Sequence, residues 1–290
     1  MAMVADYVVA GEGEYTLPAL LRALEEDRPL PPGVATRKGF LPADTCVRLD
    51  AYLPFSTMKG YIEISRGCPH HCTYCQTPRI FGSRMRHRSI DAVTRAARRF
   101  RDARFVTPNA LAYGSDGMNP RLEKVRALLS SLQHKGQCIY FGTFPSEVRP
   151  EWVTREALDL ITTYCSNSRL HFGAQSGSDR VLATLSRGHT VGDVIAAVEL
   201  CLEYGLTPVV DCIVGIPGER DEDQMKTARL VEWVSSRGRV HLHRFTPLPG
   251  TPLAETSPRP LLPEVDRLLG SLALSGRLTG SWGDHTRRFF

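Results

Sequence analysis

Nowhere in this 290-residue sequence do apolar residues run uninterrupted for the eighteen or so positions that a membrane span needs, and the opening Met-Ala-Met-Val lacks both the charged and the apolar region of a signal peptide. A cytoplasmic protein is the expectation. No segment repeats and none is of low complexity, which excludes solenoid and fibrous architectures. Nor does one charge dominate: 36 Lys and Arg against 31 Asp and Glu leave a formal +5, too little to keep the chain unfolded. With 42% apolar and 23% charged residues there is material for a sizeable core. One α/β domain of about 200 to 250 residues with short flanking pieces accounts for the length.

What basic excess there is gathers between Arg79 and Arg104, where Arg84, Arg86, Arg88, Arg95, Arg98, Arg99, Arg101 and Arg104 fall close together. Such a run attracts nucleic acid or an anionic cofactor, but it is also what the solvated face of an amphipathic helix looks like. RNA binding does not follow from it.

After an irregular Pro- and Gly-rich stretch from Pro29 to Pro54, apolar β-type runs alternate with helical segments, the pattern of parallel strands joined by crossover helices. Strands are expected at Tyr61–Ser65, Arg104–Thr107, Cys138–Thr143, Arg169–Gly173, Thr207–Val214 and His241–Phe245. Helices are expected at Ser89–Arg101, Pro120–Lys135, Glu151–Thr162, Thr190–Tyr204 and Asp221–Ser236. Ser89 is placed to cap a helix, Pro120 and Pro150 to open one, and Gly136 and Gly205 to end one. Six units fit a partial barrel or an open doubly wound sheet, and in both function gathers at the carboxyl ends of the strands. The first thirty or so residues differ: a short strand Tyr7–Ala10 and a helix about Leu17–Glu25 make one terminal β/α unit, which must dock on something to bury both faces. The chain thus divides into an N-terminal remnant and linker over 1–55, a barrel over 56–257 and a helical tail over 258–290.

In a reducing compartment the eight cysteines read as ligands or buried thiols rather than four disulfides. Three of them, Cys68, Cys72 and Cys75, stand in a C-x3-C-x2-C loop directly after the strand Tyr61–Ser65. Three thiolates hold three corners of a cubane iron–sulfur cluster and leave one iron open to an external ligand. The same cysteines with His70 or His71 would instead make a structural zinc site. Cys46, Cys138, Cys165, Cys201 and Cys212 have no ligand spacing and read as small buried thiols, with no second cluster expected.

With its preceding strand and with Tyr74 just ahead of the last cysteine, this loop resembles the signature of the radical SAM superfamily, and the likeness extends from about Tyr61 to about Pro252. The resemblance implies a partial (β/α)6 TIM-like barrel and a [4Fe–4S] cluster on Cys68, Cys72 and Cys75. It further implies that the amino and carboxylate groups of S-adenosylmethionine (SAM) chelate the open iron, and that reductive cleavage yields a 5′-deoxyadenosyl radical. An electron donor such as a flavodoxin or ferredoxin is implied with it. Tyr74 would pack on the adenine side of SAM. The run from His171 to Thr190 resembles the fourth-strand exit of radical SAM methylthiotransferases and their cobalamin-dependent relatives, which assigns Gln175 and Ser176 to the SAM ribose and Arg187 to its carboxylate. The run from Val210 to Glu219 resembles the fifth-strand exit, with Ile216 beside the adenine. The Gly-Gly-Glu motif that many family members carry after the second strand is missing, and Thr107-Pro108-Asn109 occupies its place, so that Asn109 or nearby carbonyls would substitute as partners for the SAM amino group.

The segment Ala5–Glu14 resembles the last β/α unit of the cobalamin-binding domain that precedes many such barrels, which suggests a cobalamin-linked methyltransferase of unidentified substrate. Most of that domain is missing, and there is no Asp-x-His-x-x-Gly stretch to ligate cobalt. An RNA methylthiotransferase is the alternative, opposed by the lack of a second cysteine triad and of an RNA-binding β-domain after Pro263. A third class, a non-catalytic iron–sulfur or zinc protein, would be indifferent to changes at Asn109, Gln175 and Arg187.

Overall fold

Caps and turns cut the chain where the residue types suggest. In the computed structural model, which describes residues 4–43, 46–52 and 61–283, the Ser89 side chain accepts the Ala92 N–H at 3.2 Å. Thr190 and Asp193 form a reciprocal capping box, and Gly205 turns the chain at φ +70° beyond the helix that follows that box.

The N-terminal unit comprises β1 (Val8–Val9), α1 (Gly13–Glu25), β2 (Val34–Thr36) and β3 (Gly39–Phe40). β1 pairs antiparallel with β2, and β2 with β3. The expected β/α unit is therefore completed by a hairpin of its own rather than by a parallel neighbour. Its helix starts four residues before Leu17. The expected boundary at 55/56 lies outside the described residues.

The larger unit follows in the order β4 (Tyr61–Glu63), β5 (Ser65–Arg66), α2 (Thr77–Phe81), β6 (Arg86–His87), α3 (Ile90–Ala97), β7 (Asp102–Val106), α4 (Leu122–Ser131), β8 (Cys138–Tyr140) and α5 (Arg155–Tyr164). Then come β9 (Arg169–Gln175), α6 (Asp179–Thr184), α7 (Val191–Glu203), β10 (Thr207–Val214), α8 (Asp221–Ser235), β11 (Arg239–Arg244), α9 (Pro263–Leu274) and β12 (Leu278–Ser281). Strands β4, β7 and β8 form one parallel ladder, and β9, β10, β11 and β12 another. Between β8 and β9 the wall continues through the Asn167 side chain, which accepts from the Phe141 N–H at 3.1 Å and donates to the Phe141 carbonyl at 2.6 Å. A parallel bridge pairs Val148 with Phe172. The result is a partial barrel whose edge strands β4 and β12 do not pair with one another.

Two expectations need correction. The parallel strands number seven among the described residues, because the expected helical tail over 258–290 holds α9 and then β12, which adds to β11. Leu278-Thr279-Gly280-Ser281 has no apolar run to announce it; only Leu278 is buried. Gly280 is needed there, since a Cβ would stand 2.0 Å from the Leu242 carbonyl oxygen. The fourth strand also runs two residues past Gly173, where a bulge shifts its register so that Asp211 faces Gly173 and Cys212 faces Gln175.

The core is the outer face of the strands, packed against the helices, while the inner face lines the cavity described below. Phe105, Phe141 and Phe172 are fully buried with Ile62, Leu170 and Val210, and the Phe105 and Phe141 rings meet edge-on at 5.8 Å. Leu128, Leu158, Val198 and Val231 bury the facing stripe of α4, α5, α7 and α8.

Candidate active site

The chain leaves β5 through Gly67, held at φ +88°, where a Cβ would meet the Arg84 carbonyl oxygen at 2.2 Å. Only glycine fits there. This close approach lets the Cys68 N–H bond the Gly82 carbonyl at 3.1 Å. The loop then folds on itself and on the barrel, with Cys75 N–H to Cys72 O and Thr73 N–H to Leu185 O, both at 3.1 Å. Cys68, Cys72 and Cys75 all line one cavity of about 610 Å³ at the carboxyl ends of the strands. Burial pushes the Cys68 thiol above its ordinary range, offset in part by the His70 backbone N–H and by Arg149. His70 is engaged elsewhere, with Nε2 3.1 Å from the Gly117 carbonyl.

Arg187, 8% exposed, reaches into this cavity behind the loop. It donates to Tyr74 Oη at 3.2 Å, to Cys72 Sγ at 3.7 Å and to the Gly173 carbonyl at 2.9 Å, while its Nε has no partner. Burial pushes the Tyr74 phenol up to about 12, so it stays neutral. Asn109 also lines the cavity and is 5% exposed, yet neither its amide oxygen nor its nitrogen is hydrogen-bonded. A buried amide left unpaired costs about 1 to 3 kcal/mol, so this one is built to meet a polar ligand. Gln175 stands on the rim at φ +69°, its Nε2 filling the space a Cβ at Gly173 would take.

Two expected site residues stand apart from the cavity. Ser176 is fully buried, bonded to Thr227 Oγ1 at 3.1 Å and to the Ser178 N–H at 3.2 Å. Strand alternation carries through this stretch, so Gly173 and Gln175 face the cavity while Ser176 faces α8. Ile216 sits in a small apolar cluster with Val181, Leu185, Ile213 and Phe245, against which Tyr74 packs. It touches the site through Tyr74. The N–H of Ile216 is fixed by Glu219 Oε2 at 3.1 Å, and burial raises the Glu219 carboxyl to about 7.

Residue-by-residue reading missed three features of the site. Glu147 and Asp211 line the cavity without a side-chain partner among the described residues; burial and then Glu147 raise the Asp211 carboxyl to about 7, and burial raises Glu147. An aspartate inside the apolar run Thr207–Val214 was the available signal, because unpaired carboxylates are rarely placed in buried strands without a task. Arg149, 5% exposed, binds the Arg187 carbonyl and Glu151. Finally Glu12, from the N-terminal unit, accepts from Arg66 Nη1 at 3.1 Å, from Arg86 at 2.9 and 2.6 Å and from the Val47 N–H at 2.9 Å. Arg66 in turn bonds Glu63 at 2.7 and 3.0 Å. The N-terminal unit is thereby bolted to the residue that precedes Gly67.

These residues fit a cubane cluster with SAM. Three thiols, an unpaired buried amide and a guanidinium with a free N–H converge on one enclosed volume. Among the described residues no group of three or more His, Cys, Asp or Glu converges tightly enough for a single metal ion. A cubane does not require that convergence, because its thiolates bind separate irons.

The profile of the Radical SAM superfamily matches residues 62–231, more than half of the chain. The chain belongs to this family. Members of the radical SAM superfamily bind a [4Fe–4S] cluster and SAM, and the fold and cysteine loop described above are theirs. By sequence the chain is 28% identical over 225 residues to the tRNA-2-methylthio-N(6)-dimethylallyladenosine synthase of Pelobacter propionicus, covering 73% of this chain and 49% of that one. It is 27% identical over 203 residues to the enzyme of the same name from a Sulfurihydrogenibium species, covering 68% and 45%. The chain therefore spans about half the length of the curated relatives it matches. By fold it is similar to the radical SAM methyltransferase TsrM of Kitasatospora setae, solved with cobalamin and a [4Fe–4S] cluster, with a TM-score of 0.67 at 19% identity over 86% of this chain and 53% of that one. The cobalamin-dependent radical SAM enzyme OxsB, solved with aqua-cobalamin and SAM, superposes with a TM-score of 0.60 at 18% identity over 91% and 39%. Among the described residues no helix of this radical SAM protein is long and apolar enough to cross a membrane.

Proposed function

We propose that Cys68, Cys72 and Cys75 hold three irons of a [4Fe–4S] cluster and that the chain uses it to cleave SAM reductively. The observation that carries this reading is the convergence of the three thiols, Arg187 and the unpaired Asn109 amide on one cavity. When bound, the reduced cluster supplies the electron that breaks a carbon–sulfur bond of SAM. The chain's own residues do the rest. Arg187, fixed by Gly173 and Tyr74, presents its fork to the SAM carboxylate; Asn109 takes the amino group; Gln175 reaches the ribose; Tyr74, backed by Ile216, gives the adenine an apolar wall. Ser176 acts at one remove, tying the turn that carries Gln175 to α8 through Thr227. Glu147 and Asp211 face the remaining volume, where a substrate would lie. The strand walls and the cysteine loop limit the access of water to the chemistry.

On the reaction, cobalamin-linked methyl transfer has support from the fold. The match to OxsB leaves too little of the chain uncovered to exclude the N-terminal unit. Cobalamin itself does not fit the described residues of that unit, since residues 1–52 contain no histidine to ligate cobalt. Methylthio transfer to tRNA has the support of the sequence relatives, and we rank it second.

The test is a set of single Cys→Ala variants reconstituted with iron and sulfide. Each should lose cluster iron and SAM binding together, and Cys72→Ala that retains both would sink the ligand assignment. Supplying the active protein with methyl-labelled SAM and either hydroxocobalamin or tRNA that carries N(6)-dimethylallyladenosine together with sulfide separates the two reactions by whether label passes to cobalamin or, as methylthio, to the tRNA.

A further inference from the structure

A second cleft, of about 520 Å³, shares Phe81 with the active-site cavity and is otherwise lined from outside it, by Arg79 and Ile80 of α2, by Gly82 and Arg84 of the turn after it and by residues of the N-terminal unit that include Glu12 and Phe40. Its floor is one backbone thick. The Gly82 carbonyl that accepts the Cys68 N–H and the Arg84 carbonyl that abuts Gly67 belong to this same turn.

The charges on this face are not spent internally. Arg86 is held by Glu12, and Arg88 by Glu63 and the Leu49 carbonyl. Arg79 and Arg84 are exposed and form no ion pair among the described residues. Beside them Ile80 is 41% exposed, Phe40 52% and Leu41 61%. Unpaired arginines interleaved with exposed apolar and aromatic side chains are the composition of a protein-binding surface. The rest of the basic stretch lies elsewhere. Arg98 contacts His134 ahead of β7 and β8, and Arg104, in the middle of β7, stacks on Tyr140, the last residue of β8. There is no continuous track of cations from Arg79 to Arg104 such as a phosphate backbone would follow.

We propose that this face is the docking site for an acidic one-electron carrier protein that reduces the cluster; the proposal rests on the cluster assignment above. Its chemistry balances simply: one electron leaves the carrier's flavin or iron–sulfur centre and arrives at the cluster, and no bond forms or breaks. Arg79 and Arg84 select the partner by charge and set its rate of encounter, while Ile80 and Phe40 exclude water from the contact.

The experiment compares the reconstituted wild type with Arg79→Glu/Arg84→Glu, each reduced either by dithionite or by an acidic flavodoxin with its NADPH-dependent reductase, or by a ferredoxin, and reads 5′-deoxyadenosine. The variant should match the wild type within about twofold under dithionite and fall by about tenfold or more under the protein donors, with the salt dependence of the wild-type rate flattened. An unchanged donor-driven rate overturns the proposal, as does a wild type that dithionite activates but none of the acidic donors reduces. Retention of donor-driven activity with loss of tRNA binding would reassign the face to RNA. If dithionite-driven cleavage also falls, and Arg79→Gln/Arg84→Gln repeats that, the two residues serve the loop itself and the docking role is wrong. A wild type inactive even with dithionite is a different failure, that of the cluster assignment.

Discussion

Replacing Glu12 by Gln removes the carboxylate that ties the N-terminal unit to the cysteine loop. Glu12 is 6% exposed and takes four hydrogen bonds, three of them from the guanidinium groups of Arg66 and Arg86. The two arginines are not equally affected. Arg66 keeps Glu63 in a bidentate pair and Glu14 at 2.6 Å. Arg86 keeps only the carbonyls of Val47 and Phe81, each at 2.9 Å, and becomes a buried charge without a counter-ion. Breaking a buried pair on one side costs about 3 to 5 kcal/mol; since the Gln amide still accepts one bond and Arg66 stays paired, a loss of about 2 to 3 kcal/mol is expected, and about 4 for Glu12→Ala. The pH dependence has a definite sign. Burial favours the neutral form of Glu12, but Arg86, the Val47 N–H and Arg66 outweigh it and hold the carboxyl below its usual range. Its contribution is therefore complete at neutral pH and fades as pH falls through the lowered value, so the gap between wild type and variant closes in acid. Urea unfolding of the cofactor-free protein at neutral and acid pH reads this directly. The alkylation rate of Cys68 should rise in the variant, because Arg66 adjoins the loop. A loss under about 0.5 kcal/mol, or a gap unchanged by acid, would refute the reasoning.

Asp211→Asn should stabilise the cofactor-free protein at pH 8 but not near pH 4. The Asp211 carboxyl, raised to about 7 by burial and by Glu147, binds a proton in the native state that the unfolded chain releases at lower pH. Stability accordingly declines as pH rises through that window, by at most about 4 kcal/mol at 1.4 kcal/mol per pH unit; equal shifts in Tm at both pH values would contradict this. Arg187→Lys should keep the cluster's iron but weaken SAM binding about tenfold or more in calorimetry, since an ammonium cannot span the Gly173 carbonyl, Tyr74 Oη and a carboxylate at once; unchanged affinity would remove Arg187 from the site. Gly67→Ala must move the Arg84 carbonyl and should cost about 2 kcal/mol or more and slow cluster incorporation, whereas Gly136→Ala, at φ +80° with nothing within 4 Å, should cost about 1 kcal/mol and leave the cluster alone.

What could be read from the sequence was what is local in it. The cysteine loop packs its three thiols into eight residues behind a strand, and Thr207–Val214 coincides with β10 because its apolar run is long and bounded. Arg187, Asn109 and Gln175 were legible by the motifs around them. What could not be read depends on distant partners. Glu12 meets Arg66 across 54 positions and Arg86 across 74, and no spacing rule connects them. Asp211 and Glu147 come together only because Val148 bridges to Phe172 and Gly173 pairs with Asp211. Ser176 turned away because faces alternate along a strand: Gly173 and Gln175 line the cavity and Ser176 takes the opposite face, an alternation that the adjacent pair itself implied. β12 escaped notice because four half-polar residues carry no periodicity, and their place in the wall is set by β11.

The central claim is that Cys68, Cys72 and Cys75 hold a cluster that reduces SAM. The most direct measurement is an electron paramagnetic resonance spectrum of the anaerobically reconstituted, reduced protein with and without SAM, together with a count of 5′-deoxyadenosine formed. The account predicts a [4Fe–4S]⁺ signal that shifts when SAM is added, and 5′-deoxyadenosine that depends on reductant. Zinc in place of iron, or a cluster whose spectrum ignores SAM and that releases no 5′-deoxyadenosine, would contradict it.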